Sequence, residues 1–151
     1  MKQAPGSRSR SRTTTLALAL LLTTSCGLKN ASAGIPPEVE SVIGTVTDDI
    51  AQERYDKVYI ESSELWKHDA SPEQSAEVLK TLHSKLGKVE SRAMNSASEQ
   101  QNSGGPLKGR AFIVSYQTKF ERGEAMETFT VVEENGHWKL ARYLVNSTSL
   151  R

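Results

Sequence analysis

The chain has one cysteine, Cys26, in 151 residues, so no intrachain disulfide can form in any compartment. It also lacks a long apolar run: the longest, Leu16-Ala17-Leu18-Ala19-Leu20-Leu21-Leu22, is seven residues, whereas a spanning helix needs about 20. Catalytic motifs are missing too. None of His68, His83 and His137 stands in a His-Glu-x-x-His arrangement or at another metal-ligand spacing. The chain contains no Gly-x-Ser-x-Gly elbow, no phosphate-binding Gly-rich loop and no dinucleotide fingerprint. These gaps argue against a disulfide scaffold, a helical membrane protein and the motif-bearing enzyme classes. The expectation is a non-enzyme that needs no cofactor and no metal.

Charge is unevenly placed. Lys2, Arg8, Arg10 and Arg12 precede residue 26 and all 18 acidic residues follow it, leaving 15 basic residues and a net charge of −3 over residues 26–151. A mildly acidic domain has no electrostatic footprint for nucleic acid. The basic opening, the apolar run and the small residues Thr23-Thr24-Ser25 have the layout of a secretory signal. Leu22-Thr23-Thr24-Ser25-Cys26 resembles a bacterial lipobox, cut before a cysteine that carries diacylglycerol. Ala31-Ser32-Ala33 resembles an ordinary signal-peptidase site that would release a soluble periplasmic protein beginning at Gly34. The lipobox lies directly behind the apolar run, and Ala33 lies eleven residues beyond it. The expected division is a lipoprotein signal over 1–25, a tether over 26–35 and a single domain over 36–148. Cys26 would carry the lipid, anchoring the domain on the periplasmic side of a bacterial membrane.

Hydrophobic spacing orders the rest. Pro36-Pro37 opens a helical stretch with Val39, Val42, Ile43, Val46 and Ile50 on one stripe. A short helix is expected over Tyr55–Ser63. Ser71-Pro72-Glu73-Gln74 is a capping box opening a helix over 72–86, which stops at Gly87. Beyond it the period changes to two. Strands are expected over Lys88–Ser98, Ala111–Phe120, Ala125–Glu133 and His137–Asn146, with a flexible loop at Glu99–Pro106 and fraying from Ser147. Asn135-Gly136 is a two-residue hairpin turn, and it places Val131 opposite Leu140 and Phe129 opposite Arg142. The fold class is α+β: two to three N-terminal helices packed on a curved antiparallel sheet of about four strands. Apolar residues on both sheet faces suggest a homodimer or a periplasmic protein partner.

Several segments together resemble one family of exported bacterial proteins. They are Tyr55-Asp56-Lys57-Val58-Tyr59 with Ser62-Ser63 and Trp66, Leu86-Gly87 with Arg92, and Gly109 leading into Val114–Phe120. Glu127, then Glu134-Asn135-Gly136-His137-Trp138-Lys139-Leu140 with Tyr143, complete the set. The family is domain of unknown function family 4019, and the element order is similar to the cystatin-like and nuclear-transport-factor-like cone folds. The resemblance spans roughly residues 37–147. It implies a fold and an exported location, and it implies no activity.

Two side-chain groups merit weighing. Asp48-Asp49 near the end of the first helix point about 100° apart and read as a solvated face. His83 falls on the apolar side of the 72–86 helix, beside Leu79, Leu82 and Leu86. In a cone fold that helix lines the cavity, so His83, Arg92, Tyr116 and Trp138 become the candidate pocket for a small ligand. The plainer reading is a histidine at the edge of the core, satisfied by a backbone carbonyl or water. The leading expectation is a non-enzymatic protein-interaction or self-associating domain, and the alternative is a small-molecule-binding cone-fold domain.

Overall fold

A computed structural model describes Met1, residues 34–105 and residues 107–151. The leader, Cys26 and the Ala31-Ser32-Ala33 step lie outside the described residues. Four helices come first: α1 (Pro37–Ala51), α2 (Tyr55–Glu61), α3 (Glu64–Asp69) and α4 (Pro72–Leu86). Four strands follow, β1 (Val89–Asn102), β2 (Gly109–Phe120), β3 (Gly123–Glu134) and β4 (His137–Asn146), then a 3-10 turn at Thr148–Leu150. The strands form one antiparallel sheet in the order β1-β2-β3-β4. The class is α+β.

α1 buries Val39, Ile43 and Val46 at helical spacing, as its stripe requires. α4 begins with a complete capping box. The Ser71 hydroxyl accepts from the Gln74 N–H, and the Gln74 side chain accepts from the Ser71 N–H. It ends at Gly87, whose φ of +78° suits glycine, and a Cβ there would run into the Glu121 side chain. These two helices lay Val39, Ile43, Val46 and Leu79 on Phe112, Val114, Phe129, Val131 and Leu140 of the sheet. Asn135 and Gly136 both take positive φ, +52° and +77°, and close the β3–β4 hairpin in two residues.

The structure departs from the sequence expectation in five places. First, the short second helix stops at Glu61 and a separate α3 follows, started by the Ser63 hydroxyl, which accepts from the Trp66 N–H. Second, β1 runs on to Asn102 through residues expected to form a loop. Gln100 and Gln101 pair with Ala111 and Arg110, so a strong neighbouring strand overrides weak local propensity. Third, the Asn135-Gly136 turn does place Val131 opposite Leu140, but Phe129 pairs with Tyr143, not Arg142. Ala141 is an extra residue, a β-bulge that turns the rest of β4 over by one position. Fourth, the C-terminus does not fray: Ser147 caps the 3-10 turn, and Leu150 packs against Leu86, Phe120 and Ala125. Fifth, Asp49 is not on a solvated face. It is 1% exposed and receives the Arg54 guanidinium and the Lys57 ammonium, while Asp48 faces solvent. The Asp49–Arg54 contact ties the turn after α1 back to the helix, and the Arg54 N–H also bonds the Asp49 carbonyl at 2.8 Å.

The apolar residues on the outer sheet face are partly covered from within the chain. Ala111, Val132 and Ala141 pack with Leu65 and Leu107, leaving Leu144, at 63% exposed, as the large apolar residue in the open there.

Phe129 is fully buried at the centre of the main cluster, stacked on Tyr143 at 4.8 Å. Phe129→Ala is expected to destabilise the fold by about 3–5 kcal/mol in urea titration. Leu144→Ala, on the open face, is expected to cost less than about 0.5 kcal/mol.

Candidate binding cleft

The inward positions of β3 alternate as Ala125, Glu127, Phe129 and Val131. Three of them are apolar and one is an acid. Glu127 is 1% exposed, so its carboxylate must be satisfied by the protein. Each of the other three strands supplies a donor. From β1, Arg92 gives Nε to Oε2 at 2.6 Å and Nη2 to Oε1 at 3.1 Å. From β2, the Thr118 hydroxyl donates to Oε2 at 2.5 Å, and from β4 the Tyr143 hydroxyl donates to Oε1 at 2.6 Å.

Two bulges aim these groups. The extra Ala141 brings Tyr143 onto the inward face, after Trp138 and Leu140. A register shift between Val89 and Ser91 puts Val89 and Arg92 on the same side, across from Phe120 and Thr118. Burial, then the nearby charge of Glu127, then the hydrogen bond to it push the Tyr143 phenol well above its ordinary value of 10.0. The phenol therefore stays protonated and remains a donor.

Above this cluster, between α1, α4 and the end of the sheet, is a narrow cleft with room for about 40 Å³, open to solvent at its mouth. Ile50, Leu79, Leu82, Leu86, Val89 and Phe120 form apolar walls, and Arg92, Glu127 and Tyr143 line it with His83. Of the four residues singled out from sequence, His83 and Arg92 meet in this cleft. Tyr116 lies beside it, its ring under the Arg92 guanidinium at 5.8 Å and edge-on to Phe129. Trp138 is elsewhere, in a groove with Ser41 and Val42 of α1, edge-on to Phe112 and beneath Arg110. His83 is held by a side chain, its Nδ1 lying 3.1 Å from the Tyr55 hydroxyl.

Sequence reasoning counted Thr118, Glu127 and Tyr143 among the residues of the family resemblance but gave none of them a role in the site. A signal for each of the ionisable two was present: an acid at an inward position of an apolar alternation, and a break in phase from Trp138, Leu140 to Tyr143, Val145. No group of three or more His, Cys, Asp or Glu is placed to hold a metal ion among the described residues.

The carboxylate accepts four hydrogen bonds, filling its acceptor positions. Arg92 compensates its charge. Arg92 differs: it lines the cleft, and its Nη1 has no hydrogen-bond partner among the described residues.

A family model described as protein of unknown function (DUF4019) matches residues 45–143. The chain belongs to this family. Arg92, Thr118, Glu127 and Tyr143 all fall inside the matched span, as does His83. A search of curated proteins finds no match.

Removing the acid should strand the guanidinium, whose side chain is 20% exposed. Glu127→Gln is therefore expected to lose about 3–5 kcal/mol in urea unfolding. Tyr143 also sets a pH dependence. Its folded pKa lies above its unfolded value, so the folded chain holds this proton more tightly. Its contribution to stability is complete below about pH 10 and falls as pH rises further. Between about pH 10 and 11, the urea midpoint of the parent protein should drop more steeply than that of Tyr143→Phe.

Proposed function

We propose that this chain is an exported lipoprotein, held by Cys26 on the periplasmic side of a bacterial membrane, whose domain works by binding and not by catalysis. The observation that carries the reading is the saturated Glu127 carboxylate. The one acid at the cleft is spent on Arg92, Thr118 and Tyr143, so it holds strands together where a catalytic base would need a free lone pair. The leader layout ending at Cys26 supports export and anchoring.

A protein partner, first of all a second copy, fits the outer edge of β1. This strand is 14 residues long, pairs only with β2 among the described residues, and carries an uncharged run over 93–98. Such an edge accepts a further strand through backbone hydrogen bonds. The opposite edge differs: the Ser63 N–H donates to the Leu140 carbonyl at 2.9 Å, and the Glu134 carboxylate accepts from the Glu64 N–H.

Intact-mass analysis of the protein from native membranes tests the anchoring. A chain beginning at Cys26 with added acyl mass, absent in Cys26→Ala, is expected; an unlipidated chain beginning at Gly34 would overturn it. Light scattering of the domain tests the association. Dimers should form at high concentration and be lost in Ala93→Lys/Ser98→Lys, both exposed on β1.

A further inference from the structure

The Arg92 guanidinium has five N–H donors, and two of them reach Glu127 through Nε and Nη2. The Nη1 end has no hydrogen-bond partner among the described residues, and Arg92 is one of the residues lining the cleft. A planar donor group fixed along one edge and open at its end is suited to a carboxylate, which takes two parallel hydrogen bonds. Glu127 and Tyr116 fix the guanidinium in place, so little side-chain freedom is lost when a ligand arrives.

The surroundings add charge of the matching sign. An outer recess shares His83, Gly87 and Lys88 with the cleft and is also lined by Lys80 and Arg122. Glu53 and Glu121 stand in the same recess, and Glu121 is engaged by the Lys88 backbone N–H at 3.0 Å. Lys80 and Lys88 form no ion pair among the described residues. Counting Arg92 against Glu127, and the three outer bases against the two outer acids, the site carries a charge of +1 in an otherwise acidic domain.

We propose that this cleft binds a small monocarboxylate with a short aliphatic chain. The carboxylate meets Arg92 Nη1 in a field made favourable by Lys80 and Lys88, and the chain lies along Leu79, Leu82 and Val89. The cleft itself has room for only about 40 Å³ and the rest of its space is open to solvent, so it suits a short chain lying along its walls and not a whole lipid. His83, held by Tyr55 at the junction of the two recesses, is a positioning residue for the mouth. The site lies on the inward face of β1, so it does not depend on whether the outer edge of that strand takes a partner.

The test uses hexanoate, butanoate, hexanol and hexylamine against the domain, followed by methyl NMR of the leucines and valines. Hexanoate should shift the Leu82 and Val89 signals saturably and bind at least about tenfold more tightly than hexylamine or hexanol. Shortening to butanoate removes two methylenes and should weaken binding about fifteenfold, at roughly fourfold per methylene. Lys80→Gln/Lys88→Gln, both exposed, should weaken hexanoate and leave hexanol unchanged, and Arg92→Gln should abolish the preference for the acid. The parent-protein comparison stands even if the Arg92 variant fails to fold. Equal binding of acid, alcohol and amine, or shifts confined to residues outside the cleft, would overturn the proposal.

Discussion

One carboxylate touches every strand of the sheet. Glu127 on β3 takes hydrogen bonds from Arg92 on β1, Thr118 on β2 and Tyr143 on β4, with Glu127 and Thr118 fully out of solvent. A buried ion pair of this kind adds little net stability over a well-packed apolar replacement, because desolvating two charges offsets most of their attraction. Its effect is on uniqueness. Side chains on a strand alternate with a period of two, so a one-residue slip of any strand would carry its donor to the wrong face. The cluster therefore penalises every wrong register at once, in a sheet whose first strand has little apolar content of its own.

The bulges follow from the same constraint. Without the extra Ala141, Tyr143 would face outward and the Glu127 Oε1 atom would lose its shortest partner. Without the irregularity near Glu90, Arg92 and Val89 could not share the inward side. Both bulges lie at the ladders that flank the interior strands, and both also bend the sheet around the helical layer. The cleft under α4 is a by-product of that bend: the helices cover the middle of the sheet, and the end near Phe120 and Val89 stays open.

Much of the fold was legible in the sequence, and the reasons are local. The capping box at Ser71–Gln74, the glycine after Leu86 and the Asn135-Gly136 turn each act through backbone chemistry within a few residues, and each stands as the pattern requires. Membership of the family follows the same residues, from the early helices to Tyr143. What did not show was set at a distance. The extension of β1 to Asn102 depends on pairing with β2, and the burial of Asp49 depends on Arg54 folding back across a turn. The candidate site divided in the same way. His83 and Arg92 were found because helix and strand faces can be counted, whereas Trp138, on the same inward face of β4, lies at the far end of the strand, a distance that alternation does not encode. Glu127 was in view as a sequence feature, but an inward acid has meaning only once its donors are known.

The unequal treatment of the two sheet edges bears on how such a domain can assemble. On β4, the Ser63 N–H already occupies the Leu140 carbonyl, a position that an incoming strand would need. On β1 nothing among the described residues does so. A chain with two bare edges can polymerise without limit, one copy after another. An edge partly occupied in this way is a poorer template for a further strand than the bare edge of β1. Association of the kind proposed above would therefore favour the pair over continued growth.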